Sequence, residues 1–256
     1  MICGMPEGNE HDLDVIVVGA GFAGLNALHS LRQAGLRALV LDAADGVGGT
    51  WYWNRYPGSR CDVVSIDYSY TFSEELYGEW TWSERYAQQP EIERYLNWVT
   101  DRLDLRRDIR LGTRVVGATY DDSDPGWTVE TDGGERLRAQ FLVAASGCLS
   151  VPNVPRFEGL DDFRGDIHHT ATWPAEGVDL TGQRVAVIGT GSSGIQAIPV
   201  IAEQAAHLTV FQRSANFSLP AGQRDNDPDV VRRRKAELAK WREAAWNNSA
   251  GFDFAP

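Results

Sequence analysis

The chain has 256 residues, 43% of them hydrophobic, and a formal net charge of −12 at pH 7, which allows one large domain or two modest ones with a real core. Such acidity leaves no basic stripe to neutralise a nucleic-acid backbone, and no run approaches the ~18 apolar residues of a membrane span. Cys3, Cys61 and Cys148 are odd in number and lack CxxC spacing, against a zinc site or a disulfide framework and in keeping with a cytoplasmic protein that holds no metal.

Residues 1–12 have neither a basic n-region nor an apolar h-region and read as a flexible N-terminus. Asp14–Val18 is a β-branched run that flows into Gly19-Ala20-Gly21-Phe22-Ala23-Gly24 and an alanine- and leucine-rich stretch to Gly35, predicting strand, tight turn and helix. Arg37–Leu41, ending at Asp42, supplies the second strand of a βαβ unit. Gly46–Gly58 mixes glycines with Trp51, Tyr52, Trp53, Tyr56 and Pro57 and predicts a long ordered loop. A helix is predicted over Pro90–Leu105, then an antiparallel meander from Ile109 to Val143, then a buried strand at Phe141–Ala145. Val151–Pro174 is proline-punctuated and reads as an interdomain connection. A second βαβ unit follows: Arg184–Ile188, the turn Gly189-Thr190-Gly191-Ser192-Ser193-Gly194, and Leu208–Phe211. Asp227–Asn247 reads as helical, with Arg232–Lys235 on a solvated face because Glu237 and Glu243 alternate with it. The fold class expected is α/β with two dinucleotide-binding, Rossmann-like domains, at 13–150 and 181–256, joined through 151–180.

A pyrophosphate binds well where backbone N–H groups at a helix N-terminus converge on it, and a side chain on the turn keeps that backbone away. Both glycine turns follow an apolar strand and open a helix, the context a GxGxxG motif requires. The residue at the end of the next strand separates them. Asp42 stands 23 residues beyond Gly19; its carboxylate accepts from ribose hydroxyls and repels a 2′-phosphate, so the first turn suits FAD or NAD. The same count from Gly189 reaches Gln212-Arg213, and a guanidinium suits a phosphate, so the second turn suits NADP; the alternative for Arg213 is a surface arginine at a strand end. A disulfide reductase of this design needs a cysteine pair beside the flavin, and Gly48–Cys61 holds a single cysteine.

Gly48-Gly49-Thr50-Trp51-Tyr52-Trp53-Asn54-Arg55-Tyr56-Pro57-Gly58 with Arg60-Cys61-Asp62, and Phe163-Arg164-Gly165 with His169 and Trp173-Pro174 in the pattern FxGxxxHxxxW, resemble the flavin-dependent Baeyer–Villiger monooxygenases. Gly189–Gln196 with Gln212-Arg213-Ser214 is similar to that family's NADP half-site, and the resemblance runs from about Asp14 to about Trp246. It implies FAD at Gly19, Gly21, Phe22, Ala23, Gly24 and Asp42, with Gly49, Thr50, Trp51, Arg60, Asp62, Tyr68 and Val115 as further contacts. It implies NADP(H) at Gly189, Thr190, Gly191, Ser192, Ser193, Gly194, Arg213 and Ser214. The activity implied is a cycle in which NADPH reduces FAD, the flavin captures O2 as a C4a-peroxide, and this attacks a ketone to give an ester or lactone. An anionic nucleophile needs fixed positive charge and exclusion of water; in the family an arginine supplies the charge and a carboxylate, here Asp62, positions it. The residues alone favour a local ion pair between Asp62 and Arg60.

The same resemblance gives Phe163, Gly165, His169 and Trp173 a part in coupling NADP binding to domain movement, whereas spacing alone reads His169 and Trp173 as a packed pair. Trp51, Tyr52, Trp53 and Tyr56 read as walls of the flavin site, and Cys61 as a buried inert thiol. Family members continue for about as many residues again, which implies that both domains are incomplete on their C-terminal side, with the catalytic arginine beyond residue 256 and FAD weakly retained. Two other readings stay open: a flavin monooxygenase that oxygenates amines or sulfides, and a nucleotide-binding remnant.

Overall fold

The computed structural model describes residues 13–149 and 151–248; the segment 1–12 expected to be flexible lies outside them. The described residues divide into two compact units, the first running to Trp53 and resuming over Leu96–Asn153, the second formed by Asn54–Tyr95 and the chain from Val154 onward. None of their helices is long and apolar enough to cross a membrane.

In the first unit β1 (Leu13–Val18) buries Val15, Ile16 and Val17 in succession, as a strand covered on both faces must. The chain turns into α1 (Phe22–Gln33), which buries Gly24, Leu25 and Leu28, and returns as the wholly buried β2 (Ala38–Leu41). A short helix, α2 (Thr50–Trp53), interrupts the predicted loop. The sheet is completed by β3 (Ile109–Arg110), β4 (Val115–Asp121), β5 (Gly126–Thr131) and β6 (Arg136–Ala144), in the order β3-β2-β1-β6-β5-β4. Two sequence expectations are corrected. Ile109–Arg110 does not begin the meander; it pairs parallel with β2 at the other edge. The last meander strand and the predicted strand at Phe141–Ala145 are one strand: β6 runs antiparallel to β5 over Arg136–Ala139 and parallel to β1 over Ala139–Ala144. Its exchange of neighbours changes the burial pattern midway, which in sequence looks like two elements, and Phe141 is half exposed.

The second unit contains α3 (Glu74–Glu79) and receives the start of α4 (Gln89–Arg102). Ile92, Tyr95, Leu96 and Val99 are buried along α4, the helical spacing read from sequence. The second βαβ motif is β7 (Arg184–Ile188), α5 (Ser192–Gln204) and β8 (His207–Phe211), the strands pairing in parallel from Arg184 opposite His207 to Ile188 opposite Phe211. Tyr56, Leu180, Ala197 and Ile201 form the buried cluster beneath α5, joined by Trp173 and Leu208. The chain then forms α6 (Pro228–Ala236) and α7 (Leu238–Trp246). Here a further expectation is corrected. Arg232 pairs with Asp229 on the exposed face, but Arg234 reaches Asp67 at 2.5 Å, and the Lys235 ammonium donates to the carbonyls of Gly78 and Trp80 at 2.9 and 2.6 Å.

Candidate nucleotide sites

At the first turn Gly19 has a φ of +108°, and a Cβ there would lie 2.5 Å from the Ala145 carbonyl oxygen just beyond β6. The turn therefore stands between the C-terminal ends of β1 and β6, where the direction of strand connection reverses and open α/β sheets receive their ligands. A Cβ on Gly24 would lie 1.7 Å from the Gly19 carbonyl oxygen, so this glycine lets α1 close on the strand. Gly21 faces Gly49, its added Cβ 3.3 Å from that Cα, and Gly48 donates to the Ala20 carbonyl at 3.0 Å. The loop carrying Gly49, Thr50 and the buried Trp51 thus lies against the turn. Asp42 is buried, with Oδ2 accepting from the Ala20 N–H at 2.5 Å and Oδ1 from the Ala44 N–H at 2.8 Å. An ionised carboxylate has about four lone-pair positions, so Asp42 fixes the turn and keeps capacity for a ribose hydroxyl. Val115 packs against the sheet core formed by Ile16, Leu39, Leu41, Val129 and Ala139.

The second turn repeats this geometry. Gly189 has a φ of +103°, and a Cβ on Gly194 would lie 2.5 Å from the Gly189 carbonyl oxygen. Gly191 differs: its φ is −73°, and an added Cβ meets nothing within 4 Å. Neither backbone conformation nor packing among the described residues asks for glycine there, whereas the close approach of a pyrophosphate does. Both α1 and α5 begin on glycine without a side-chain cap, while α3 and α6 are capped by Ser73 and Asp227. At the end of β8, Gln212 donates to Thr190 Oγ1 at 2.7 Å and Asn216 to the Thr190 carbonyl at 2.8 Å, holding the turn to the chain that carries the exposed Arg213 and Ser214.

The remaining candidates in the second unit depart in part from their sequence reading. Arg60 pairs with Glu84 at 3.3 Å, not with Asp62; Arg60 forms an isolated antiparallel bridge with Gln88, and the chain bends away from that bridge at Asp62. Asp62 is exposed, and among the described residues its carboxylate has no hydrogen bond or ion pair. Cys61 is buried, and burial pushes its thiol up to about 11, so it stays protonated at neutral pH. The Tyr68 N–H bonds to the carbonyls of Val64 and Ser65. Tyr56 is buried beside Trp173 and Ala197, a core position, and its hydroxyl donates to Gln196 at 2.9 Å. In the fingerprint Phe163 is exposed and its ring covers Gly165. His169 Nδ1 accepts from the Ala171 N–H at 3.1 Å, and it is His168 whose ring lies beside Trp173, 5.5 Å between centroids. Gln196, read from sequence only as the end of the Gly189–Gln196 stretch, and Glu84, which carried no signal in the sequence, tie the Arg60 segment in place.

A family model described as pyridine nucleotide-disulphide oxidoreductase matches residues 16–240. The chain belongs to this family. Among curated relatives, a Baeyer–Villiger monooxygenase of Pseudooceanicola batsensis is 48% identical over 244 residues, 95% of this chain and 45% of the relative. Acetone monooxygenase (methyl acetate-forming) of Gordonia sp. strain TY-5 is 46% identical over 242 residues, 94% of this chain and 45% of the relative. A solved structure of oxidized steroid monooxygenase bound to NADP has a TM-score of 0.91 at 59% identity, covering 95% of this chain and 47% of that one. A crystal structure of OTEMO in complex with FAD and NADP has a TM-score of 0.90 at 39% identity, with coverages of 95% and 47%. The chain spans about half the length of the curated relatives it matches. The resemblance to the Baeyer–Villiger monooxygenases and the Rossmann-like α/β fold expected from sequence are borne out. Within a family named for disulfide chemistry, Gly48–Cys61 holds a single cysteine, and Cys61 and Cys148 are both free thiols.

Proposed function

We propose that this chain forms the nucleotide-handling part of a flavoprotein monooxygenase that uses NADPH and O2 to convert ketones into esters or lactones. The observation that carries the reading is Gly191, a glycine at the second helix N-terminus that nothing among the described residues requires and a pyrophosphate does. In this assignment residues 13–150 are the FAD-binding domain, 151–180 the connection and 181–256 the NADP-binding domain of a cytoplasmic enzyme. Gly19–Gly24, Gly49, Thr50 and Trp51 hold FAD, with Asp42 directed at its ribose. Gly189–Gly194 hold the NADP pyrophosphate, and the exposed Arg213 and Ser214 meet the 2′-phosphate. FAD, when bound, supplies the redox and oxygen chemistry. Asp62, exposed and unengaged by the described residues, has its carboxylate available to position a cation. The Baeyer–Villiger and acetone monooxygenase relatives support this substrate class.

The test uses the full-length protein loaded with FAD and supplied with NADPH, 18O2 and a panel of linear, cyclic and aryl ketones. An ester or lactone carrying one 18O atom is expected. NADPH oxidation that yields only hydrogen peroxide, or oxygen transfer to amines or sulfides without any ester, would overturn the proposal.

A further inference from the structure

Gln196 stands two residues after Gly194, in the second turn of α5, and its whole side-chain amide is engaged by the loop that leads to Asp62. Oε1 accepts from the Tyr56 hydroxyl at 2.9 Å and from the Arg60 N–H at 3.2 Å, and Nε2 donates to the Arg60 carbonyl at 3.0 Å. The backbones meet at the same place: Gly58 has a φ of +77°, and a Cβ there would lie 2.3 Å from the Gln196 carbonyl oxygen. Only glycine fits that position, on both conformational and steric grounds. The Tyr56 ring is buried together with Ala197 and Ile201 of the same helix and with Trp173 of the fingerprint. The loop is held from its other side as well, with Cys61 donating to the Ala87 carbonyl and Gln89 to that of Ser59. A single polar side chain thus joins the helix that opens at Gly191–Gly194 to the backbone of Arg60, two residues before Asp62.

We propose that Gln196 is a positioning residue that transmits occupancy of the second nucleotide turn to the Arg60–Asp62 segment. A nucleotide at the α5 N-terminus restrains the first turns of that helix; Gln196 carries the restraint to Arg60 through a bidentate amide contact, and Asp62 is held with it. The inference rests on the reading of Gly189–Gly194 as an NADP site.

NADP+ itself is the probe, added to the full-length protein, with affinity read by calorimetry and backbone order by amide hydrogen exchange over Gly58–Asp62. Saturating NADP+ is expected to slow exchange in this segment by about tenfold, on the scale of one well-formed hydrogen bond. In Gln196→Met, which keeps the volume and removes the polar contacts, NADP+ affinity stays within about threefold while the slowing disappears. Gln196→Glu retains acceptors for Tyr56 and the Arg60 N–H and loses the donor to the Arg60 carbonyl, so it shows partial slowing; this variant carries the test if the methionine variant does not fold. Absence of NADP+ binding by the parent protein sinks the nucleotide reading and this inference with it. Binding without slowing in the parent, or full slowing in either variant, overturns the role of Gln196 alone.

Discussion

Gly191 and Gly194 stand three residues apart, and substitution should affect them in opposite ways. An alanine Cβ at Gly191 meets nothing within 4 Å among the described residues and requires no unusual φ, so the loss of a good N-cap residue and the stiffening of the unfolded chain offset each other to within about 1 kcal/mol. Its methyl group points where a pyrophosphate approaches, so NADP+ affinity falls by about tenfold or more, the scale of a lost charge-assisted hydrogen bond. Alanine at Gly194 collides with the Gly189 carbonyl oxygen at 2.5 Å and destabilises by about 1–3 kcal/mol. Thermal melts and NADP+ titrations of the two variants check both halves, and equal loss of affinity with no change in stability would contradict the distinction. The glycines were legible because a turn motif is local. The partners of neighbouring side chains were not: the four-residue spacing from His169 to Trp173 implies contact only on an α-helix. Thr170–Thr172 form a single 3-10 turn here, with extended backbone at His169 and at Trp173, and His168 takes the place beside Trp173.

The helices α6 and α7 show the same limit over a longer distance. Alternating charge in Arg232–Glu243 gave a solvated face correctly for Arg232, but nothing near Arg234 in sequence indicated Asp67, 167 residues away. Both side chains are mostly buried, at 14% and 17% exposure, and the guanidinium lies 3.2 Å from the centre of the Trp241 ring. Removing one member of such a pair leaves the other desolvated and unmatched, so Arg234→Met and Asp67→Leu should each destabilise by about 3 kcal/mol. The double substitution Asp67→Leu with Arg234→Met should recover much of that loss, because two apolar side chains leave no orphaned charge. Urea denaturation of the three variants at pH 7 measures this as a double-mutant cycle. Losses that simply add would show that the two residues are not energetically coupled. The strands, by comparison, were legible wherever one neighbour persisted, as along β1 and β2, and misjudged at β6, where the neighbour changes from antiparallel to parallel at Ala139.

At the scale of the molecule, the cofactor pair was read from the difference between Asp42 and Gln212-Arg213, while the burial of Cys61 and Tyr77 sets a property that composition conceals. The formal charge of −12 counts 24 Lys and Arg against 36 Asp and Glu, but burial pushes the Cys61 thiol up to about 11 and the Tyr77 hydroxyl up to about 12. In the unfolded chain these groups ionise near roughly 8.5 and 10. Below the unfolded values both are protonated in either state and their stabilising contribution is fully present. As pH rises above them the unfolded chain releases protons first, so stability falls, and the contribution is lost once pH passes the folded values. Lys235 acts in the opposite sense: burial lowers its pKa, and the cost of keeping its ammonium in the fold is relieved as pH rises. This group is half-exposed and hydrogen-bonded to the carbonyls of Gly78 and Trp80, so its opposing effect is the smaller. Burial raises the hydroxyls of Tyr70 and Tyr95 as well, so between pH 8 and pH 10.5 the net loss should be about 4 kcal/mol, with Cys61 the largest single contributor. Guanidinium denaturation at the two pH values measures the fall, and Cys61→Ala should remove about half of it. An alanine variant that loses stability as steeply as the parent would place the alkaline sensitivity elsewhere in the fold.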